Sequence, residues 1–326
     1  MQKSKANILF SSTFTTSFIT NDLHSLQKAY TVIPLIGSGI KIIIKYLKWI
    51  RDIDITFSWF ASVYSSILIF LTKIFNKKSI LVLGGADTAK EKEIGYGIWN
   101  SRWKSVLVKY AITHSTQVLA VDETLKKDAM KLCMYDGRNI KIIPTGFDPE
   151  YWKPYGEKYS RVLTVANCPD AVRIKIKGID FLIQIAEETK DIQYTVVGVA
   201  EHLTANLKAP QNLKFIPFLP QGELLIEYQK SKIYFQPSYR EGLPNALCEA
   251  MLCECCPVGT RIGGIPTAIG NTGKLIEYGN VEEGCTAIIQ VFKEGNGKPA
   301  RQRISKMFLK EMREKQLNSI IESFDK

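Results

Sequence analysis

The stretch Gln236-Pro-Ser-Tyr-Arg-Glu241-Gly-Leu-Pro-Asn-Ala-Leu-Cys-Glu249-Ala-Met251 decides how this chain reads. The β-branched and aromatic run ending in Tyr234-Phe235 reads as a buried strand, which Pro237 and Ser238 stop. Glu241-Gly242 is a tight turn where backbone approaches a ligand closely. Asn245 is placed to cap a helix over residues 246–252. Glu241 thus falls at the carboxyl end of a strand, and Glu249 in the helix that follows. In an open α/β sheet, ligands bind outside the carboxyl ends of the strands. Two carboxylates there suit the hydroxyl groups of a ligand. Taken singly, each Glu also fits an ordinary role, a solvated loop residue or a helix-start acid favoured by the dipole.

Outward from this stretch, short apolar runs alternate with amphipathic ones. In the first half, strands are expected at 8–10, 30–35, 55–59, 80–83 and 117–121. The intervening helices are expected at 21–28 (capped by Asn21 or Asp22), 40–51, 63–75, 104–113 and 124–133. In the second half, strands fall at 162–166, 193–197 (ending at Gly198), 213–216, 233–236 and 257–260. Helices fall at 179–189, 222–230, 282–292 and 303–324. Such alternation with short connections implies parallel sheets covered by helices. Pro and Gly punctuation near 144–154, then the polar run 155–160, marks a linker between two halves. There is no internal repeat, zinc finger, helix-turn-helix pattern or P-loop.

The Gln236–Met251 string resembles the donor-site signature of the retaining GT-B glycosyltransferases of family 4, the glycosyltransferase group 1 proteins. That signature is Glu, seven residues, Glu, with Gly after the first and Ala-Met after the second. Lys177-Gly178-Ile-Asp180 resembles the family's KGxD, and Ile143-Pro-Thr-Gly-Phe-Asp148 its IPNGVD. Val121-Asp-Glu-Thr-Leu-Lys-Lys-Asp128 resembles VSEALKKD. The resemblance implies an α/β fold of GT-B type, with two Rossmann-like domains whose parallel sheets face across a cleft and a C-terminal helix crossing back. The expected domains are an acceptor-binding 1–154, a nucleotide-sugar-binding 155–303, and a helix 304–326 packing toward the first.

By the same resemblance the chain is an enzyme. It would move a sugar, with retention, from a nucleotide-diphosphate sugar to a glycan or lipid-linked acceptor in surface polysaccharide synthesis. Lys177 would meet the diphosphate, with Arg173 in place of the family arginine that usually stands where Asn167 is. Glu241 would lie nearest the donor sugar, and Asp87, in Gly84-Gly85-Ala86-Asp87, would orient the acceptor. Glu249 would accept hydrogen bonds from the ribose. Gly242, Leu243, Pro244, Gly178 and Gly198 would shape the donor site, and Phe218 would sit near the base. Gly263-Gly264 reads as a loop lining the site or as an ordinary turn. No Asp-x-Asp pair is read as a metal motif, so positive side chains and a helix end are expected to do a metal's work, with no metal and no cofactor beyond the nucleotide sugar. Asn167, Gly85 and Glu254 depart from the family pattern. They keep open a second reading, a catalytically degenerate GT-B scaffold that binds nucleotide sugar or membrane without turnover.

Composition sets the bounds. The chain has 326 residues, 45% of them hydrophobic, and a formal charge of +11, which points to an anionic partner. Nucleic acid is not expected, because no aromatic-basic surface motif accompanies the charge. Seven cysteines, three of them at Cys253, Cys255 and Cys256, read as buried reduced thiols of a cytoplasmic protein. The basic start, followed at once by a strand-like run, does not read as a signal peptide. The uncharged run 55–72 reads as a membrane span or as a strand turning into a core helix, its serines and threonines favouring the second. Lys41, Lys45, Lys48 and Arg51 recur at near-helical spacing opposite Ile42, Ile43, Tyr46, Leu47 and Ile50. That helix reads either as core-packed with a solvated face or as a contact to an anionic membrane surface on the inner face.

Overall fold

Segments such as Lys78–Leu83 and Gln193–Val199 are nearly continuous apolar runs, the pattern of strands covered on both faces. In the computed structural model, which describes residues 6–324, such runs assemble into two six-stranded parallel sheets. One compact unit runs to Gly146 and takes up the chain again from Lys310; the other is Phe147–Leu309. The basic start at residues 1–5 lies outside the described residues.

The first unit contains β1 (Asn7–Ser12), β2 (Thr31–Ile36), β3 (Ile55–Trp59), β4 (Lys78–Leu83), β5 (Gln117–Ala120) and β6 (Ile140–Ile142). Their order in the sheet is β2-β1-β3-β4-β5-β6. The connecting helices are α1 (Ser17–Ala29), α2 (Ile40–Trp49), α3 (Val63–Ile74), α4 (Arg102–His114) and α5 (Glu123–Cys133). Register is pinned in the core, where Phe10 pairs with Phe57 and their rings stack 5.3 Å apart.

The second unit contains β7 (Tyr159–Cys168), β8 (Gln193–Val199), β9 (Leu213–Ile216), β10 (Ser231–Gln236), β11 (Cys256–Thr260) and β12 (Lys274–Ile276). Here the order is β12-β11-β10-β7-β8-β9. Its helices are α6 (Ala171–Lys177), α7 (Ile179–Glu188), α8 (Glu201–Thr204), α9 (Gln221–Lys230), α10 (Asn245–Leu252), α11 (Ile265–Ile269), α12 (Val281–Glu294) and α13 (Lys298–Met307). The core joins Phe181, Ile185, Val196, Phe235, Val258 and Ile288 from both elements of the layer.

The last helix, α14 (Lys310–Ser323), belongs to the first unit. Its anchor is Arg313, whose guanidinium grips both oxygens of Asp22 at 2.6 and 2.7 Å and donates to the carbonyls of Ile143 and Pro144. Trp59 Nε1 donates to the same carboxylate at 3.0 Å. Both charges are buried, and every strong donor or acceptor in the cluster has a partner, as burial of an ion pair requires.

Three sequence expectations change, while the run 55–72 keeps its favoured reading of a strand and a core helix. Helix α1 starts at Ser17, and Asp22 does not cap it, because its carboxylate is taken by Arg313 and Trp59. The run 55–72 is β3 and most of α3, and among the described residues no helix is long and apolar enough to cross a membrane. The terminal helix is broken into α13 and α14 at Phe308-Leu309, where Phe147 N donates to the Phe308 carbonyl and Phe147 bridges to Leu309. Residues 147–154 go with the second unit rather than the first. Arg301 holds them there, donating to the carbonyls of Pro149 and Trp152 at 2.8 Å.

Candidate donor site at the carboxyl ends of β7 and β10

Strands β7 and β10 are neighbours, yet the chain leaves β7 toward β8 on one side and returns at β10 on the other. That makes them the topological switch point, where loops diverge and leave room for a ligand. Three segments meet there. Helix α6 follows β7, capped by Asp170, whose side chain accepts from Arg173 N at 2.8 Å. It ends in Lys177, and Gly178 turns the chain at φ +65°. A Cβ on Gly178 would stand 2.0 Å from the Pro237 carbonyl oxygen, so this close approach needs glycine. Tyr239 N closes the same junction by donating to Ile176 O at 2.9 Å.

This docking of the α6 turn on the loop after β10 brings Lys177 Nζ to 2.5 Å from Glu241 Oε1. The same oxygen accepts from Gln236 Nε2 at 3.0 Å and Ser238 Oγ at 2.9 Å. Gln236 in turn accepts from Tyr234 OH, and Thr260 Oγ1 donates to Ser238 O. Glu241 is therefore held on one side by a buried polar chain and on the other by a cation. From the third side comes the turn 263–264. Gly264 N donates to Gly242 O at 3.0 Å, and a Cβ on Gly263 would meet Glu241 O at 2.1 Å. Gly263 and Gly264 thus brace the backbone beneath Glu241.

Arg173 lies one helical turn before Lys177, so the two cations share a side of α6. Burial pushes the nearby Cys168 thiol up to about 12, and the charges of Lys177 and Arg173 pull it the other way. Leu243 and Pro244 are buried under the loop. Helix α10 begins at Asn245 with Pro244 at the N-cap and no side-chain cap bond there, which corrects the expectation of an Asn245 cap. Gly198 stands in β8 at φ +100°, where a Cβ would lie 2.7 Å from Ala166 O. Its role is close backbone packing at the end of β7. Phe218 is 74% exposed in the segment after β9.

Glu249 is on α10, only 8% exposed, and accepts from Tyr228 OH at 3.1 Å. Burial raises its pKa to about 8, and the Tyr228 bond only partly opposes this. The acid is then mostly neutral at pH 7. Burial thereby favours the neutral form of this acid.

Asp87 belongs to the other unit, in the turn after β4. It is buried, and its carboxylate accepts from the backbone N–H groups of Ala61, Gly84 and Gly85. Burial pushes its pKa up, against those bonds. The carboxylate braces two loops and is not presented to an acceptor. The sequence does hold one Asp-x-Asp triplet, Asp52-Ile53-Asp54. It precedes β3, at the amino ends of the strands, where Asp54 accepts from Asn7 N at 2.8 Å. All seven cysteines are free, and six of them are buried.

Gln236, Ser238 and Tyr228 were not singled out by sequence. Gln236 and Ser238 sit inside the motif but carry no distinctive spacing. Tyr228 is 21 residues from Glu249, on a different helix, and no local signal joins them.

Known proteins resemble this chain in part of its sequence and in its fold. Residues 171–307 match the family model described as Glycosyl transferases group 1. The chain is 25% identical over 214 residues to alpha-maltose-1-phosphate synthase of Mycobacterium tuberculosis (strain CDC 1551 / Oshkosh), covering 58% of this chain and 54% of that protein. It is 25% identical over 227 residues to N-acetyl-alpha-D-glucosaminyl L-malate synthase of Bacillus anthracis, covering 63% and 59%. The chain thus spans rather more than half the length of these curated relatives. Among solved structures, sucrose-phosphate synthase of Thermosynechococcus elongatus superposes with a TM-score of 0.82 at 12% identity, over 98% of this chain and 99% of that one. Anabaena Alr3699/HepE in complex with UDP-glucose gives 0.77 at 14%, over 98% and 100%. The fold, two parallel α/β sheets with their helices, is that of the GT-B glycosyltransferases.

Proposed function

We propose, from the place of residues 171–307 in glycosyl transferases group 1, that this chain transfers a sugar, with retention, from a nucleotide-diphosphate sugar to a glycan or lipid-linked acceptor. The observation that carries this is the Lys177–Glu241 pair at the switch point of the second sheet, with Arg173 one turn away. Breaking the bond to the diphosphate builds negative charge on the leaving oxygens. Preorganised cations lower that barrier most where water is thin, and both members of the pair are largely buried. Lys177 and Arg173 would meet the phosphates, with the start of α10 adding its positive end. Glu241 would take hydroxyls of the donor sugar, and Glu249 those of the ribose. Phe218 would stack on the base. The leaving phosphate can itself accept the acceptor proton, so no separate base is assigned and no metal is required. The setting would be surface polysaccharide synthesis in the cytoplasm, at an anionic inner membrane face.

The test is release of nucleoside diphosphate from a panel of UDP-, GDP- and ADP-sugars, read with and without mixed glycan and lipid-linked acceptors. Acceptor-stimulated release from at least one donor is expected, with the α-anomer forming from an α-linked donor. Donor binding, seen as thermal stabilisation, without any release would instead support a scaffold without turnover.

A further inference from the structure

Three helices of the first unit contain no acid at all. Helix α2 is Ile-Lys-Ile-Ile-Ile-Lys-Tyr-Leu-Lys-Trp, with Lys41, Lys45 and Lys48. Helix α3 adds Lys73, and α4 adds Arg102, Lys104 and Lys109. Their order in space follows from the topology. The strands β2, β3, β4 and β5 are joined in one direction across the sheet once β1 is passed, and right-handed crossovers then stack α2, α3 and α4 on one face. Helix α1 runs the other way and lies on the opposite face. Helix α3 packs on both α2 and α4.

The solvent side of this row is apolar as well as basic. On α2, Ile40 (68% exposed), Ile44 and Leu47 form one outward ridge, beside the lysines. The sequence pattern had put Leu47 on the apolar side with Tyr46 and Ile50; those two are buried, and Leu47 is exposed. On α3, Phe70 and Ile74 face outward, and on α4, Trp103 and Val106 (67% exposed). The ridges are joined, since the Phe70 ring meets Tyr110 of α4 edge-on at 5.9 Å. The acid-free row ends at α5, which packs on α4 and carries Glu123 and Asp128 among its lysines.

A water-facing surface seldom keeps large apolar side chains on three adjacent helices. Apolar ridges edged by lysine, with Trp49 and Trp103 at their margins, suit the boundary of a bilayer, where amphipathic rings and snorkelling lysines rest. The uniform positive sign selects anionic lipid.

We propose that the first unit docks on an anionic bilayer through α2, α3 and α4 together, lying on the surface without spanning it. This rests on the membrane part of the reading above and is independent of the donor-site assignment. It extends the contact from the one basic helix legible in the sequence to a three-helix face.

The test is flotation of the full chain with phosphatidylcholine vesicles and with vesicles holding 30% phosphatidylglycerol, at low and high salt. Far-UV circular dichroism checks that each variant folds. Wild type is expected to float with the anionic vesicles at low salt, to be released by salt, and to ignore the neutral ones. Three variants, one per helix, are each expected to lower the bound fraction at least threefold: K41E/K45E/K48E, F70S/I74S and W103S/V106S. If the α3 and α4 variants bind like wild type, the three-helix face is wrong and α2 alone carries the contact. If wild type ignores anionic vesicles, the membrane contact itself falls. If instead it forms a dimer that these variants break, a second copy occupies the face, and the proposal is overturned.

Discussion

Lys177 Nζ and Glu241 Oε1, 64 residues apart in sequence, lie 2.5 Å apart at the carboxyl ends of two neighbouring strands. Neither end of the pair is loose. Lys177 is the last residue of α6, fixed by the Gly178 turn, and Glu241 is gripped by Gln236 and Ser238. In the proposed donor site this cation would meet phosphate and the carboxylate would meet a ligand hydroxyl.

Lys177→Ala is expected to cut transfer roughly ten- to a hundredfold with the fold intact, since a charge-assisted hydrogen bond is worth about 1.5–3 kcal/mol. Glu241→Gln should cost a comparable factor. Because the two groups touch, the double variant should lose less than the product of the single losses. Steady-state kinetics of all three, with melting curves, checks this; strictly multiplicative losses would show the pair acts as two separate groups.

Glu249 gives a pH dependence with a definite sign. Its pKa rises from an ordinary 4.5 to about 8 through burial, so the folded chain binds this proton more tightly than the unfolded one. The stabilisation is full below the unfolded value and fades as pH climbs from about 4.5 toward 8, by at most about 1.4 kcal/mol per pH unit. Glu249→Gln, neutral at every pH, should lose this slope. Urea unfolding of both proteins from pH 5.5 to 8.5 reads it out, and parallel profiles would place a charged Glu249 in the folded chain.

Transfer is expected to survive a chelator, because Lys177, Arg173 and the start of α10 are assigned the charge on the leaving group. Activity measured with excess EDTA, then with added Mg²⁺ or Mn²⁺, decides it. Abolition by the one and rescue by the other would require a metal in the mechanism.

Backbone geometry offers an opposed pair of tests. Glu254 sits at φ +61°, a conformation that costs a residue with a Cβ about 1–2 kcal/mol, part of which glycine recovers. Glu254→Gly should therefore raise stability by about 0.5–1 kcal/mol. Gly178→Ala should lower it and weaken donor binding, because the new Cβ would collide with the Pro237 carbonyl and push Lys177 away from Glu241. Thermal melts of both, with donor titration of the second, give the two signs; a stable, fully active Gly178→Ala would refute the close-approach argument.

The sequence alone determined the alternation of strand and helix, the two-unit plan, and the positions of Lys177, Glu241 and Glu249. Each of these is written in short-range patterns: an apolar run of strand length, a glycine where the chain must turn, a spacing within one strand and the helix after it. Tertiary structure decided what those residues experience. Whether Glu249 is charged depends on Tyr228 and the core around it, and whether Asp87 meets solvent depends on backbone N–H groups at 61, 84 and 85. Asp22, a cap by local pattern, became the buried partner of an arginine 291 residues away. The outward turn of Leu47 and the union of α2 with α3 and α4 were likewise beyond any local window. Burial and charge pairing are sums over neighbours brought in from distant chain, and periodicity within one segment carries no information about them.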